Sequence, residues 1–241
     1  MVERAALVTG ASSGIGLAIA RMLLEEGYGV TAVARRPEKL ESAVAALSGD
    51  GREVEQVAGD VSSEDVVRAA VAAHRDRFGR LDVLVNNAGV GIGQAVSDIQ
   101  SKYLDMQLAV NLRAIVLFYR ECADMLRAAG EEHRNALVVN LSSISGKTGQ
   151  PWLSVYSATK HAVIGFTQAM NKELSGYGVK SCALAPAFVD TAMTDFVKGS
   201  VSPEQMIRPQ DIAEAVRMLL RLSPFCLVPE IVFQRVGEGA P

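Results

Sequence analysis

The sequence predicts an α/β fold, a doubly wound parallel seven-stranded sheet flanked by helices, and two observations carry that expectation. Short β-branched runs alternate with longer helix-patterned segments through the 241 residues, which implies parallel strands joined by helical crossovers on both faces. The stretch "VTGASSGIG" then stands between the first such strand and the first helix, where a sheet of this kind receives a dinucleotide.

The elements follow in order. "AALVT" (5–9) is the first strand, with a helix over about 14–26 behind it. "GVTAVA" (29–34) leads to a helix near 37–47. "EVEQVAGD" (53–60) precedes "SSEDVVRAAVAAHRDRF", in which Ser62 or Ser63 supplies the N-cap and acidic residues fill the first turn. "LDVLVNN" (81–87) feeds a long helix near 98–129, and "ALVVNLSS" (136–143) feeds the helix that carries "YSATK". "VKSCALAPA" (179–187), a helix near 209–222 and "CLVPEIVFQ" (226–234) complete seven strands. No linker or shift of composition divides the series. One dinucleotide-binding domain of the Rossmann type is expected over 1–241, with a substrate segment at about 188–208 and a frayed tail at 237–241.

Composition narrows the partners. With 49% apolar residues, 21% charged residues and a formal net charge of −3, nothing favours nucleic acid or an anionic membrane, and a small molecule is the expected partner. The sequence shows no secretory signal and no run near the roughly 20 apolar residues that span a bilayer, so a cytoplasmic location is expected. Cys122, Cys182 and Cys226 lie far apart, without a Cys-x-x-Cys or Cys/His pattern, and read as free buried thiols with no metal. His74, His133 and His161 carry no site pattern.

The glycine loop works through backbone access. Gly10 permits a sharp turn, Gly14 lets a pyrophosphate approach the amides of the helix N-terminus, and Gly16 lets helix and strand pack closely. The second strand ends in "VARRPEKL". A site for NAD commonly has an acid here, whereas an Arg accommodates a 2′-phosphate. Arg35 and Arg36, with Ser12 and Ser13 in the loop opposite, offer charge-assisted donors to such a phosphate. The expected cofactor is NADP(H), and solvated arginines beside an NAD site are the alternative.

Tyr156 and Lys160 are an i, i+4 pair on one helix face, leaning toward the helix N-terminus where ligands sit. A free tyrosine, with a pKa of about 10, is a poor base at neutral pH. An ammonium about 4 Å away at an effective dielectric near 20 is worth roughly 4 kcal/mol, which is enough to bring tyrosine toward neutrality before desolvation opposes it. A tyrosine so poised takes a proton from an alcohol or gives one to a carbonyl oxygen. Ser143 lies at the same edge, placed to hydrogen-bond the reacting oxygen. Asn111 is an amide in a nearly apolar helix and must find partners. It is expected to brace the helix backbone or to hold a water relaying protons to Lys160.

TGASSGIG, Asp60-Val61, NNAG at 86–89, Asn111, Ser143 and YSATK, in this order, resemble the short-chain dehydrogenase/reductase family in its compact form, over about 5–234. The resemblance implies a catalytic set of Asn111, Ser143, Tyr156 and Lys160, with Lys160 also binding the nicotinamide ribose and with Ser142 outside the set. It implies further cofactor contacts at Ile15, Asp60, Val61, Asn87, Ala88, Gly89, Pro186, Val189 and Thr191. One departure is Ala187, where the family usually has Gly; its methyl is expected to narrow the approach near the nicotinamide.

The substrate side is less legible. Candidate liners are Ile92, Gly93, Ser145, Gln150, Trp152, Phe188, Met193 and Phe196, which suggest a ketone, aldehyde or alcohol of small to medium size and largely apolar. The helix near 98–129 is apolar on more than one face and needs burial on both sides, so a homodimer or homotetramer is expected, and the resemblance points to the latter. The expected activity is NADP(H)-dependent interconversion of a carbonyl and an alcohol. An NAD(P)-binding isomerase or lyase, and a non-catalytic cofactor sensor, are the competing readings.

Overall fold

The computed structural model describes residues 2–49 and 52–237; residues 238–241 of the expected tail lie outside them. Seven parallel strands form one sheet: β1 (Ala5–Thr9), β2 (Gly29–Ala34), β3 (Val54–Ala58), β4 (Val83–Asn86), β5 (Ala136–Leu141), β6 (Val179–Pro186) and β7 (Glu230–Phe233). Their spatial order is β3-β2-β1-β4-β5-β6-β7. β1, β2, β5 and β6 are buried along their whole length, which is why their sequences are near-continuous apolar runs without alternation.

Helices cover both faces. On one, α1 (Gly14–Glu25), α2 (Pro37–Leu47) and α7 (Pro209–Arg221) enclose a core that includes Ile19, Leu23, Leu40, Leu184 and Ile212. On the other, α3 (Glu64–Phe78), α4 (Ser101–Leu108), α5 (Ala114–His133) and α6 (Ser154–Leu174) enclose Leu7, Leu84, Phe118, Leu126 and Val163. Each such side chain contributes about 1.5–3 kcal/mol through burial. Among the described residues, no helix is long and apolar enough to cross a membrane.

Three expectations change in detail. Ser63 does precede α3, but its side chain makes no capping bond; Asp60 Oδ1 instead accepts the Ser62 N–H at 2.9 Å. The strand expected from 226 begins only at Glu230, because the Ser223 and Cys226 carbonyls turn to accept the buried Lys180 ammonium at 3.1 and 3.3 Å. The single helix expected near 98–129 is interrupted. A 3₁₀ turn (Val96–Asp98) precedes α4, and a π-helical turn (Ala109–Arg113) separates α4 from α5. Such wide turns gather at functional sites, and this one contains Asn111.

The histidines also differ from expectation in one case. His74 is fully buried. Its Nε2–H donates to the Arg80 carbonyl at 2.8 Å, so Nδ1 accepts from the Thr31 hydroxyl at 2.7 Å. Burial pushes its pKa down to about 4, and the neutral ring joins α3 to β2. Cys122 and Cys182 are buried free thiols, whereas Cys226 is only half-buried.

Candidate active site

β1 and β4 are neighbours whose following connections lead to opposite faces of the sheet, and the crevice at their carboxyl ends is where such sheets bind ligands. The glycine loop occupies it. Gly10 and Gly14 have φ of +68° and +55°, values that favour glycine. A Cβ on Gly16 would meet the Gly10 carbonyl oxygen at 2.4 Å, so Gly16 does bring helix and loop together. A Cβ on Gly14 would meet Thr191 Cγ2 at 2.9 Å. Thr191 therefore folds over the loop, although it lies far away in sequence.

The next strand ends hold this loop in place. Thr9 Oγ1 accepts the Asn87 and Ala88 N–H groups, each at 3.0 Å, and Asn87 Nδ2 donates to the Thr9 carbonyl at 2.9 Å. Asn87 thus braces the loop with its own side chain. Val61 is buried and Asp60 half-buried at the end of β3. Arg35 and Arg36 are exposed at the end of β2, and neither guanidinium bonds to another described residue. A backbone cradle that any side chain would fill, with two free guanidinium groups beside it, fits a nicotinamide dinucleotide bearing an extra phosphate.

Two of the four proposed catalytic side chains, Asn111 and Lys160, come together next to Gly89. A Cβ there would stand 3.4 Å from Asn111 Oδ1 and 3.7 Å from Lys160 Nζ. Lys160 is buried and its Nζ donates to the Leu141 carbonyl at 2.6 Å. Burial pushes its pKa down to about 8. Its Nζ is 5.6 Å from the centre of the Tyr156 ring. The expectation that Lys160 draws Tyr156 toward neutrality is not met by this arrangement. Burial holds the Tyr156 pKa above its ordinary value, and the group opposing it is a hydrogen bond with Ser143.

Ser143 is extended at φ −168° and its Oγ accepts the Ser145 N–H at 3.1 Å. Ser142 turns the other way and donates to the Lys160 carbonyl at 2.9 Å. The pair divides the work, one hydroxyl facing the site and one fastening α6. Gly146 is a further requirement the sequence did not flag: a Cβ there would meet Ser142 Oγ at 2.6 Å and the Lys160 carbonyl oxygen at 2.7 Å.

Asn111 braces a loop rather than its own helix. Its Oδ1 accepts from Val90 N at 2.8 Å, and its Nδ2 donates to Val90 O at 2.8 Å and to Thr159 Oγ1 at 3.1 Å. Both amide protons are used, which leaves one lone pair on Oδ1 toward the space beside Lys160. One turn earlier, the buried Gln107 accepts the Ile92 N–H at 3.2 Å. Sequence reasoning missed Gln107, although it bears the signal that marked Asn111, an amide inside an apolar helix.

The expected substrate liners divide by exposure. Ser145 is buried and Phe188 half-buried. Gln150 is exposed and its N–H donates to Ser157 Oγ at 3.3 Å. Trp152, Met193 and Phe196 are exposed by 75%, 49% and 75%, so these three are not enclosed. Pro186 ends β6 and Val189 is buried, paired with Ile207. Ala187 donates its N–H to Phe233 O at 2.9 Å.

Comparison with known proteins agrees with this fold. Residues 4–200 match the family model described as short chain dehydrogenase. The ketoacyl reductase assigned to the monensin polyketide synthase of Streptomyces virginiae is 40% identical over 197 residues, covering 81% of this chain and 74% of the relative. An alcohol dehydrogenase from the archaeon Thermococcus sibiricus, solved with 5-hydroxy-NADP, superposes with a TM-score of 0.89 at 30% identity, covering 99% of each chain. A 3-ketoacyl-(acyl-carrier-protein) reductase from Brucella melitensis, solved with NADH, gives 0.86 at 29% identity over 96% of each.

Proposed function

The chain belongs to the short-chain dehydrogenase family, and from that premise we propose that it is an NADP(H)-dependent oxidoreductase that reduces a carbonyl to an alcohol. The observation carrying the reading is Tyr156, hydrogen-bonded with Ser143 and set near the buried Lys160 at the edge where the glycine loop opens. Similar neighbours were solved with cofactors of both types, so likeness does not choose between them. Arg35 and Arg36, which bond to no other described residue, and the lack of an acid before Glu38 favour the 2′-phosphate.

The residues divide the chemistry. The glycine loop, with Arg35 and Arg36, would hold the cofactor, whose reduced nicotinamide would supply the hydride for the carbonyl carbon. Ser143 and Tyr156 hold the carbonyl oxygen, and Tyr156 gives it a proton. Burial keeps Tyr156 protonated at neutral pH, the form that reduction needs. A water between Asn111 Oδ1 and Lys160 Nζ would return the proton to the tyrosinate left behind.

The pocket lining suits a largely apolar ketone or aldehyde. Two or four copies assemble through the stripe of Leu104, Leu108, Leu112 and Val116, of which Leu108 and Val116 remain 41% and 40% exposed. The free thiols and the absence of a spanning helix among the described residues suit the cytoplasm. The test is a panel of ketones and aldehydes followed by nicotinamide absorbance. Turnover with NADPH that vanishes in Tyr156→Phe, while NADPH still binds, supports the assignment; persisting turnover refutes Tyr156 as the proton donor.

A further inference from the structure

Two described non-glycine residues have a positive φ, Arg134 at 60° and Trp152 at 65°. Arg134 ends α5, where a left-handed residue is ordinary. Trp152 ends no helix, precedes α6, and is bulky where L side chains rarely go. Packing does not explain it, because the ring is 75% exposed. A strained backbone that presents a bare indole is a local conflict of the kind found at binding sites.

The surroundings show where the Trp152 backbone is held. The Trp152 carbonyl accepts the Gln94 N–H at 2.7 Å. Gln94 is itself fixed, its side chain donating to Asp98 O at 2.9 Å and accepting from Gln100 N at 3.3 Å. Gly93 lies against Trp152, since a Cβ there would stand 3.5 Å from its carbonyl oxygen and 3.9 Å from its Cβ. Gly91 lies against Tyr156, where a Cβ would stand 3.6 Å from ring atom Cε2. Residues 91–94 therefore run from Tyr156 to Trp152, which stands four positions before Tyr156.

We propose that Trp152 is a stacking platform at the mouth of the site, and that the substrate is a ketone or aldehyde bearing an aromatic or similarly flat ring a few bonds from its carbonyl. With the carbonyl at Ser143 and Tyr156, the remainder of the molecule extends along 91–94 and lays its ring on the indole. The left-handed backbone sets that ring's direction, and the bond to Gln94 keeps it there. Offset stacking adds about tenfold in affinity beyond burial of area.

The proposal rests on the reductase reading, and the two fail differently. The assay compares 4-phenyl-2-butanone with 2-decanone, ketones of equal carbon count, as kcat/KM with NADPH. Trp152→Ala should lower the ratio of the ring-bearing to the chain ketone about tenfold, and Trp152→Phe should restore most of it. Trp152→Gly should show the same loss with a raised Tm, because glycine accepts the backbone angle. The chain has one Trp, so its emission reports this position alone. It should respond saturably to 4-phenyl-2-butanone and not to 2-decanone.

Equal losses on both ketones, or equal emission changes, overturn the platform. So does a Trp152→Ala variant that breaks an assembly in sedimentation, for then the indole is a subunit contact. A selective emission response without any turnover upholds the platform and ends the reductase reading, whereas neither response nor turnover ends both.

Discussion

Replacing Asn111 by Leu, an apolar side chain of similar size, separates bracing from chemistry at this site. The substitution removes three hydrogen bonds and leaves Val90 N–H and C=O without their partner. A buried backbone group left unpaired costs about 1–3 kcal/mol. Val90 is half-buried, so water recovers part of this, and a loss of about 2–4 kcal/mol is expected. That is a large share of the 5–15 kcal/mol typical of a domain. The same change frees the loop that carries Gly89, Val90 and Gly91 past Lys160 and Tyr156, and a misplacement of about 1 Å costs on the order of 100-fold in rate. Asn111→Asp is the informative partner. It keeps an acceptor for Val90 N–H but sets a second carboxylate oxygen against Val90 O, so it should be nearly as damaging. Urea unfolding and NADPH turnover, measured on the same preparations, read the two effects. A Leu variant with wild-type stability and lost turnover would refute the bracing argument and make Asn111 purely a participant in proton transfer.

Other outcomes follow from single features. Arg35→Ala with Arg36→Ala should weaken NADPH by ten- to a hundredfold in binding titrations and leave NADH nearly as before, as charge-assisted contacts to a phosphate predict; equal weakening would refute the 2′-phosphate reading. Lys160→Met should abolish turnover yet stabilise the fold by about 1–2 kcal/mol, because burial depresses the Lys160 pKa from 10.5 to about 8 and the lost bond to Leu141 O offsets part of the gain. The unfolded chain binds that proton more tightly, so wild-type stability should rise between pH 8 and 10.5, and that rise should be missing in the variant. His74, depressed from 6.5 to about 4, acts in the same sense at acid pH. Its contribution is complete above pH 6.5, and about 3 kcal/mol should be lost as pH falls to 4, whereas a His74→Gln protein should lose less over that window. Leu108→Asp with Val116→Glu should give monomers in sedimentation, and an unchanged assembly would place the interface elsewhere.

Much of this architecture was legible because it depends on pattern. Strands buried on both faces must be apolar throughout, and helices between them must repeat near 3.6, so the order of elements could be read directly. The glycine loop was legible for a related reason, since only a residue without Cβ satisfies φ of +68° at Gly10 or the 2.4 Å approach at Gly16. What did not show was partnership over long separations. Thr191 folding over Gly14, Ser142 fastening α6, and Gln107 holding Ile92 each join segments whose meeting is decided by packing.

The pKa relationship at Tyr156 fell outside sequence reasoning for a more particular reason. An i, i+4 spacing places two side chains on one face but says nothing of which acceptor a long, flexible ammonium chooses. Here Lys160 turns to the Leu141 carbonyl at the end of β5, and desolvation raises Tyr156 instead of attraction lowering it. The consequence bears on direction. A tyrosine kept protonated is ready to donate to a carbonyl and must first be deprotonated before it can oxidise an alcohol. Oxidation should therefore need a higher pH than reduction, and the two pH profiles should separate on the alkaline side. Coincident profiles would show that the raised tyrosine does not govern the proton step.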